Sequence, residues 1–191
     1  LSSVKADKAC GCDKVPSILY KRSAHLIAGP LVHIFNLSII LRSFPNFWKL
    51  SHITPVPKSA SPTVNDLRPI ALLPIPAKIF EKLILDTGIK QILINGFGND
   101  QFGGRPGSST TLALIKLHDR ITRSLEESDT PGVAILAYDF SKAFDQLGHK
   151  IITDTLTSIN LPAGFVSWIS SYLSNRRQAV RINGCVSPPL P

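Results

Sequence analysis

The sequence predicts an α+β fold that is rich in helices and contains a short antiparallel sheet. Two observations predict it. Short extended runs and longer helical runs of apolar residues follow one another without strict alternation, and the Asn183–Gly184 pair joins two short extended runs as a β-hairpin. With 191 residues, of which 43% are hydrophobic and 18% charged, the chain is long and apolar enough to bury one sizeable core. We therefore expect one domain, or part of one.

The first half of the chain predicts two helices and two short strands. Apolar residues at helical intervals predict a helix over residues 23–41, with Pro30 as a kink or as a restart of the helix. Residues 52–58 alternate like a strand, and their prolines predict an edge position in the sheet. A second extended run covers residues 67–73, and a helix is predicted over residues 77–93.

The middle of the chain contains the stretch with the clearest chemical pattern. Residues 95–110 are rich in glycine and predict a loop that carries Arg105, after which Ser108 or Ser109 would cap a helix. The five apolar residues 133–137 predict a short buried strand that places Asp139 near its C-terminal end. Asp145, six residues later, is expected at the start of a helix, where an acid stabilises the exposed N–H groups.

The last third predicts two helical faces followed by the hairpin. The helical faces fall in residues 151–159 and 165–173, with a Leu161–Pro162 turn between them, and residues 178–182 alternate as the first hairpin strand.

Composition narrows the classes of partner and compartment. A net charge of +8 favours a polyanion such as nucleic acid. Three cysteines exclude a fully paired disulfide set, and no apolar stretch reaches the ~20 residues of a membrane span. We expect an intracellular protein, nuclear or cytoplasmic, that is not secreted and has no membrane partner. The absence of methionine predicts that the chain is a fragment.

Five motifs, in this order along the chain, resemble those of one known family. They are LRPIALL at 67–73, AKIFEKLI at 77–84, QFGGRPGSST at 101–110, AYDFSKAFD at 137–145 and WISSYLSNRRQAVRING at 168–184. In this order and spacing they resemble the reverse transcriptase domain of non-LTR retrotransposons, of the long interspersed element and jockey-like type. The resemblance covers nearly the whole chain.

The resemblance implies a right-hand polymerase fold and an RNA-directed DNA polymerase activity. Residues 1–127 would form the fingers with an N-terminal extension, and residues 128–191 a partial palm. The partners would be an RNA template, a DNA primer and deoxynucleoside triphosphates. The cofactor would be Mg²⁺, with Mn²⁺ as the alternative ion, because in-line phosphoryl transfer uses two hard cations held by carboxylates.

The resemblance also assigns seven site residues. Asp139 would be the first catalytic aspartate and a metal ligand, and the backbone at Phe140 and Ser141 would contact the incoming triphosphate. The remaining four side chains would bind nucleotide: Lys58, Arg68, Arg105 and Phe144. Without the resemblance, the three cations are explained as solvated surface groups and the phenylalanine as a core residue.

The chain departs from the family in ways that bear on activity. Gly104 replaces the loop aromatic of the family, and the Pro-Gln-Gly segment and the Ala-Asp-Asp hairpin do not occur in the sequence. Because no two aspartates are adjacent, we expect that this chain alone does not polymerise.

The alternative hypothesis is a degenerate, non-catalytic remnant of a retrotransposon that binds nucleic acid. A phosphoaspartyl phosphatase is disfavoured, since Ser141 stands where that class needs a second acid.

Overall fold

The computed structural model describes residues 1–7, 9–57, 60–61, 63, 66–127, 131–141 and 143–191, apart from the side chain of Phe144. These residues form two compact units. The sheet unit comprises Leu1–Ile89 and His149–Pro191, and the loop–helix unit comprises Lys90–Gly148. The structure thus mixes helices with a sheet, as the sequence predicts.

The sheet unit contains five of the helices. They are α1 Ser17–Arg22, α2 Ala24–Ile40, α3 Ile75–Ile84, α7 His149–Ser158 and α8 Ala163–Leu173. The helix predicted over residues 23–41 is confirmed as α2, which keeps Pro30 inside it. A short 3₁₀ helix, Asn46–Lys49, leads into the sheet. After α3 the chain forms a π turn, Leu85–Ile89, where a side chain at Gly88 would come within 2.9 Å of the Phe165 ring.

A cluster of aromatic rings forms the core of the sheet unit. Phe44 and Phe80 are each 1% exposed, and their ring centroids lie 6.0 Å apart. Phe80 also stacks on Phe35 at 4.3 Å and meets Trp168 edge-on at 5.1 Å. Offset and edge-to-face pairs of this kind add to the stabilisation from buried area. The cluster fixes α2, α3 and α8 against each other.

Four strands form the sheet, in the order β2-β1-β3-β4. They are β1 Leu50–Pro57, β2 Leu67–Leu72, β3 Arg177–Ile182 and β4 Cys185–Val186. The β1–β2 and β3–β4 pairs are antiparallel, but β1 and β3 are parallel. The predicted antiparallel arrangement therefore holds for two of these strand pairs and is wrong for the β1–β3 pair, because β3 returns from a distant part of the chain in the same direction as β1.

The edge position predicted for β1 is also wrong, because β1 lies between β2 and β3. Its pairing with β3 covers only Leu50 to Ile53, before the prolines. Pro55 faces Pro69 of β2, and such a pair fits only a non-hydrogen-bonded position of the antiparallel ladder. The missing N–H of Pro55 then points to the side of β3, where the pairing of the two strands has already ended. Proline is tolerated in an inner strand where the pairing with one neighbour has stopped.

The loop–helix unit contains α4 Lys90–Gly96, α5 Thr110–Glu126 and α6 Ala143–Gln146. Ser109 caps α5, accepting a hydrogen bond from the Leu112 N–H at 3.2 Å, which confirms one of the two predicted caps. The prediction of a buried strand over residues 133–137 is wrong. Residues 131–140 form neither helix nor strand and are exposed, since no described strand pairs with them. No described helix is both long and apolar enough to cross a membrane.

Candidate nucleotide-binding site

Asp139, the predicted metal ligand, lies in the exposed segment of the loop–helix unit. Its two aromatic neighbours are widely open, with Tyr138 87% and Phe140 81% exposed. Ser141 follows in a turn and is also exposed. The Asp139 carboxylate is itself exposed. The backbone on both sides of it is therefore accessible to a ligand.

The carboxylates of the described residues do not complete a site for two divalent cations around Asp139. Among the described residues, no three side chains of the types His, Cys, Asp and Glu form a group that could hold a metal ion. Asp145 lies within the first turn of α6, as an acid expected at a helix start. Mg²⁺ is usually bound by one or two carboxylates together with substrate phosphates and water. Asp139 alone supplies too few ligands for a two-metal arrangement.

Arg105 stands in a glycine loop whose backbone conformation needs glycine. Gly104 and Gly107 have φ angles of +73° and +76°, in the left-handed region where a side chain is strained. The Arg105 side chain is half-buried, and its Nη1 donates to the Gly98 carbonyl at a long 3.4 Å. The loop thus holds the arginine near its own backbone, and within the described part of the chain the guanidinium forms no other hydrogen bond.

Ionic contacts that the sequence analysis missed tie this loop to α5. Lys116 Nζ lies 2.6 Å from Asp100 Oδ1 and donates to the Asn99 carbonyl at 3.2 Å. Arg120, one turn further along α5, approaches the other Asp100 oxygen at 3.5 Å. The hydrogen bond and the charge of Lys116 lower the pKa of Asp100. The Lys116 ammonium also lies 5.9 Å from the centroid of the Phe102 ring. Phe102 thus provides an aromatic contact between the loop and α5, although the aromatic residue that the family has at position 104 is replaced by glycine.

Sequence could have suggested this contact only weakly. Lys116 and Arg120 are four residues apart and share one face of α5, which marks a basic helix face. Nothing in the sequence states which acid this face meets. Asp100 lies ten residues before the start of α5, in a turn on the N-terminal side of Gly104 and Arg105.

Of the remaining predicted residues, the structure describes Arg68 but neither Lys58 nor the side chain of Phe144. Arg68 is exposed on β2, opposite Val56 of β1, and belongs to the sheet unit. Lys58 lies outside the described residues, as does the side chain of Phe144. The structure therefore groups Arg105 with Asp139, Phe140 and Ser141 in one unit and places Arg68 in the other. Among the described residues, no hydrogen bond or ion pair joins Arg105 to Asp139.

Comparisons with known proteins support the resemblance. A family model described as reverse transcriptase (RNA-dependent DNA polymerase) matches residues 56–188. In Drosophila melanogaster, a probable RNA-directed DNA polymerase from transposon X-element is 30% identical over 184 residues, covering 95% of this chain and 20% of that protein. The corresponding protein from transposon BS is 28% identical, over 97% of this chain and 21% of its own length. The RNA-directed DNA polymerase from mobile element jockey is 29% identical, over 81% and 17%.

This chain therefore spans about a fifth of the length of the curated relatives it matches. The family model covers well over half of the chain, and the mobile-element relatives align with nearly all of it. This chain belongs to the reverse transcriptase family, in the group found in non-LTR retrotransposons.

Proposed function

We propose that this chain forms part of the nucleotidyl-transfer domain of an RNA-directed DNA polymerase. Its substrates would be an RNA template, a DNA primer and deoxynucleoside triphosphates. The observation that carries the proposal is the family match over residues 56–188, which includes every predicted site position from Lys58 to Phe144. In the right-hand arrangement of this family, residues 1–127 are the fingers and residues 128–191 are part of the palm.

The proposed roles follow from the charge of the substrates. Arg68 and Lys58 offset the negative charge of the triphosphate, and Arg105 contacts template and nucleotide. Exposure of Arg68 and of the Asp139 segment supports these roles, since both are accessible to a ligand. Phosphoryl transfer relies on positioning and on charge stabilisation, so cations around the phosphates are the chemically required groups.

Asp139 would be one ligand of a divalent cation, with Mg²⁺ as the first choice and Mn²⁺ as the alternative. Its neighbours would hold the nucleotide: the backbone at Phe140 and Ser141 would face the triphosphate, and Phe144 would lie against the sugar. Because Asp139 alone cannot hold two ions, further carboxylates have to complete the site.

A primer-extension assay tests the incomplete metal site. The 191-residue chain, given a primed RNA template, deoxynucleoside triphosphates and Mg²⁺, should give no extension product. Mg²⁺-dependent extension that Asp139→Ala abolishes would show that this chain completes the site by itself.

Binding measurements test the substrate class without requiring catalysis. The chain should bind the primed template with an affinity that falls as salt rises, because phosphate contacts release counterions. Arg68→Gln and Arg105→Gln should each weaken binding of template plus nucleotide by about tenfold, the cost of one charge-assisted contact. Arg123→Gln is the matched control, since Arg123 is an exposed arginine of α5 that pairs with Asp119. Equal effects of all three variants would contradict the assigned roles.

The second candidate is a non-catalytic nucleic-acid-binding remnant. The net charge of +8 favours it, as does the finding that the described residues contain no group of three side chains able to hold a metal ion with Asp139. A chimera that places this chain in the matching segment of the jockey polymerase separates the two candidates. Extension that depends on Asp139 supports the polymerase, whereas a folded chimera that binds primed RNA and never extends it supports the remnant.

A further inference from the structure

The sheet of the sheet unit has one basic face. Strands β1, β2 and β3 contain Arg68, Arg177, Arg181 and His52, and no aspartate or glutamate. Side chains alternate along a strand, and residues paired across a ladder share a face. His52 pairs with Ala179, Leu50 with Arg177 and Val56 with Arg68. All four basic side chains of these strands therefore lie on the same face.

Two polar atoms on this face are buried without a partner. His52 is 6% exposed, and its Nδ1 has no hydrogen-bond partner among the described residues. Thr54, two residues along β1, has a buried Oγ1 in the same condition. An unsatisfied buried donor or acceptor costs free energy, and native structures contain few of them. Two such atoms side by side indicate a ligand position.

The groups around these atoms are cationic. Arg181 follows Val180, the last β3 residue that pairs with β1, and by alternation it lies on the same face as His52 and Thr54. Burial first, then the charges of Arg181 and Lys14, lower the pKa of His52. Among the described residues, the side chains of Arg181 and Lys14 form no hydrogen bond and no ion pair, although the Lys14 backbone N–H donates to the Gly11 carbonyl at 3.2 Å. Two uncompensated cations beside two unsatisfied polar atoms favour an anion.

The spacing favours a polyatomic anion. Residues two apart on a strand are about 6.6 Å apart at their Cα atoms, so their side chains can contact one group placed between them. One phosphate group with a hydrogen bond on either side spans this distance. Its remaining oxygens could accept the forked donors of Arg181.

We propose that Thr54, His52 and Arg181, with Lys14 beside them, form a phosphate-binding site on this face of the sheet. The Thr54 hydroxyl and a neutral His52 with its proton on Nδ1 donate to the phosphate, and Arg181 supplies the compensating charge. This site uses none of the residues assigned above to the nucleotide, although Arg68 lies on the same face, and it does not depend on polymerase activity. Because both buried atoms are closed to solvent, a ligand enters only when neighbouring side chains shift.

Ligand-dependent unfolding of the 191-residue chain tests the site with inorganic phosphate as the probe. The two tryptophans, Trp48 and Trp168, both lie in the sheet unit and report its unfolding by fluorescence. Phosphate also stabilises proteins non-specifically by exclusion from their surface. Thr54→Val, which keeps the shape and removes the hydroxyl, and Arg181→Gln are therefore compared with wild type at matched ionic strength.

Wild type should show saturable stabilisation by phosphate, and each variant should raise the phosphate dissociation constant by about tenfold or more. Arg177→Gln is the matched control, because Arg177 is an exposed arginine on the same strand and face but at the Leu50 level. It should leave the phosphate affinity unchanged. Wild-type affinity in both site variants, or no saturable phosphate effect in wild type, would overturn the proposal.

A second arm identifies the source of the phosphate. A fluorescent single-stranded RNA is titrated into wild type and the two site variants, with and without inorganic phosphate. Competition by phosphate and weaker RNA binding in both variants assign the site to a nucleic-acid backbone. Unchanged RNA binding, with the phosphate effect still lost in the variants, assigns it to free phosphate or the phosphate of a small molecule.

Discussion

Ser38 links three segments of the sheet unit through its hydroxyl, and Ser38→Ala should destabilise that unit markedly. Ser38 is 5% exposed in α2. Its Oγ donates to the Ser43 carbonyl at 2.6 Å and accepts from Trp168 Nε1 of α8 at 2.9 Å. Removing the oxygen leaves the indole N–H without its partner inside the aromatic core.

The magnitude follows from the two bonds. Trp168 is 4% exposed, so its orphaned N–H bears the full cost of an unsatisfied buried donor, about 1–3 kcal/mol. Ser43 is exposed, and loss of the bond to its carbonyl costs only about 1 kcal/mol, because water can replace it. The free energy of unfolding should therefore fall by about 2–4 kcal/mol.

Urea unfolding followed by tryptophan fluorescence measures this change in the sheet unit alone, since both tryptophans lie there. Ser174→Ala is the control: its hydroxyl contacts the Ser171 carbonyl at the exposed end of α8, and it should change stability by less than about 0.5 kcal/mol. In the double variant Ser38→Ala/Trp168→Phe the indole N–H at position 168 is removed together with its partner, and Trp48 remains as the fluorescent reporter. The two changes should then be less than additive by about 1 kcal/mol or more.

The reasoning would be refuted if Ser38→Ala unfolded within about 0.5 kcal/mol of wild type, or if the double variant were simply additive. Either result would mean that the indole N–H finds another partner when the hydroxyl is removed.

Three further predictions concern other parts of the molecule. Gly11→Ala should destabilise the sheet unit by about 1–3 kcal/mol, because the added Cβ would lie 2.4 Å from the Pro74 nitrogen. Gly29→Ala is the opposite case: a Cβ at Gly29 in α2 would meet open space, so this variant should stabilise the sheet unit by up to about 1 kcal/mol in the same urea assay. Asp100→Asn should speed hydrogen exchange of the 97–108 loop, whereas Asp119→Asn should not. Lys116 lowers the pKa of Asp100, so this carboxylate stabilises the loop while it is ionised. The wild-type loop should therefore loosen in the same way below about pH 4, where Asp100 becomes protonated. Burial and the Glu81 carboxylate raise the pKa of Tyr172 above its usual range, so stability should fall as pH rises past about 10, and Tyr172→Phe should flatten that fall; equal pH profiles would contradict it.

Local signals in the sequence were sufficient for the elements that depend on few neighbours. The hairpin at Asn183–Gly184 is confirmed, with φ angles of +49° and +83° that suit a tight hairpin turn. The cap at Ser109 and the helix containing Pro30 are confirmed as well. Each of these depends on contacts within a few residues, which the sequence pattern contains directly.

Long-range pairing was beyond the same signals. The proline rule placed β1 at an edge because it treats a strand as uniform along its length, whereas β1 pairs with β3 only before Pro55. The parallel β1–β3 ladder joins residues more than a hundred positions apart. The ion pair of Asp100 with Lys116 could not be predicted for the same reason. Helical periodicity identifies which side chains share a face of α5, but it does not identify the residue that the face contacts.

The exposed segment at Asp139 shows the same limit with a functional consequence. Residues 133–137 have the composition of a strand, yet Ile135 is 60% exposed and Leu136 77%. A strand is stabilised by the neighbour that satisfies its N–H and C=O groups and covers its side chains, so strand propensity alone does not create it. Pairing with another strand would bury this apolar surface and fix the direction of the backbone at Asp139 in the same step. Strand propensity in residues 133–137 therefore does not by itself fix the position of the Asp139 carboxylate; a pairing strand would be needed.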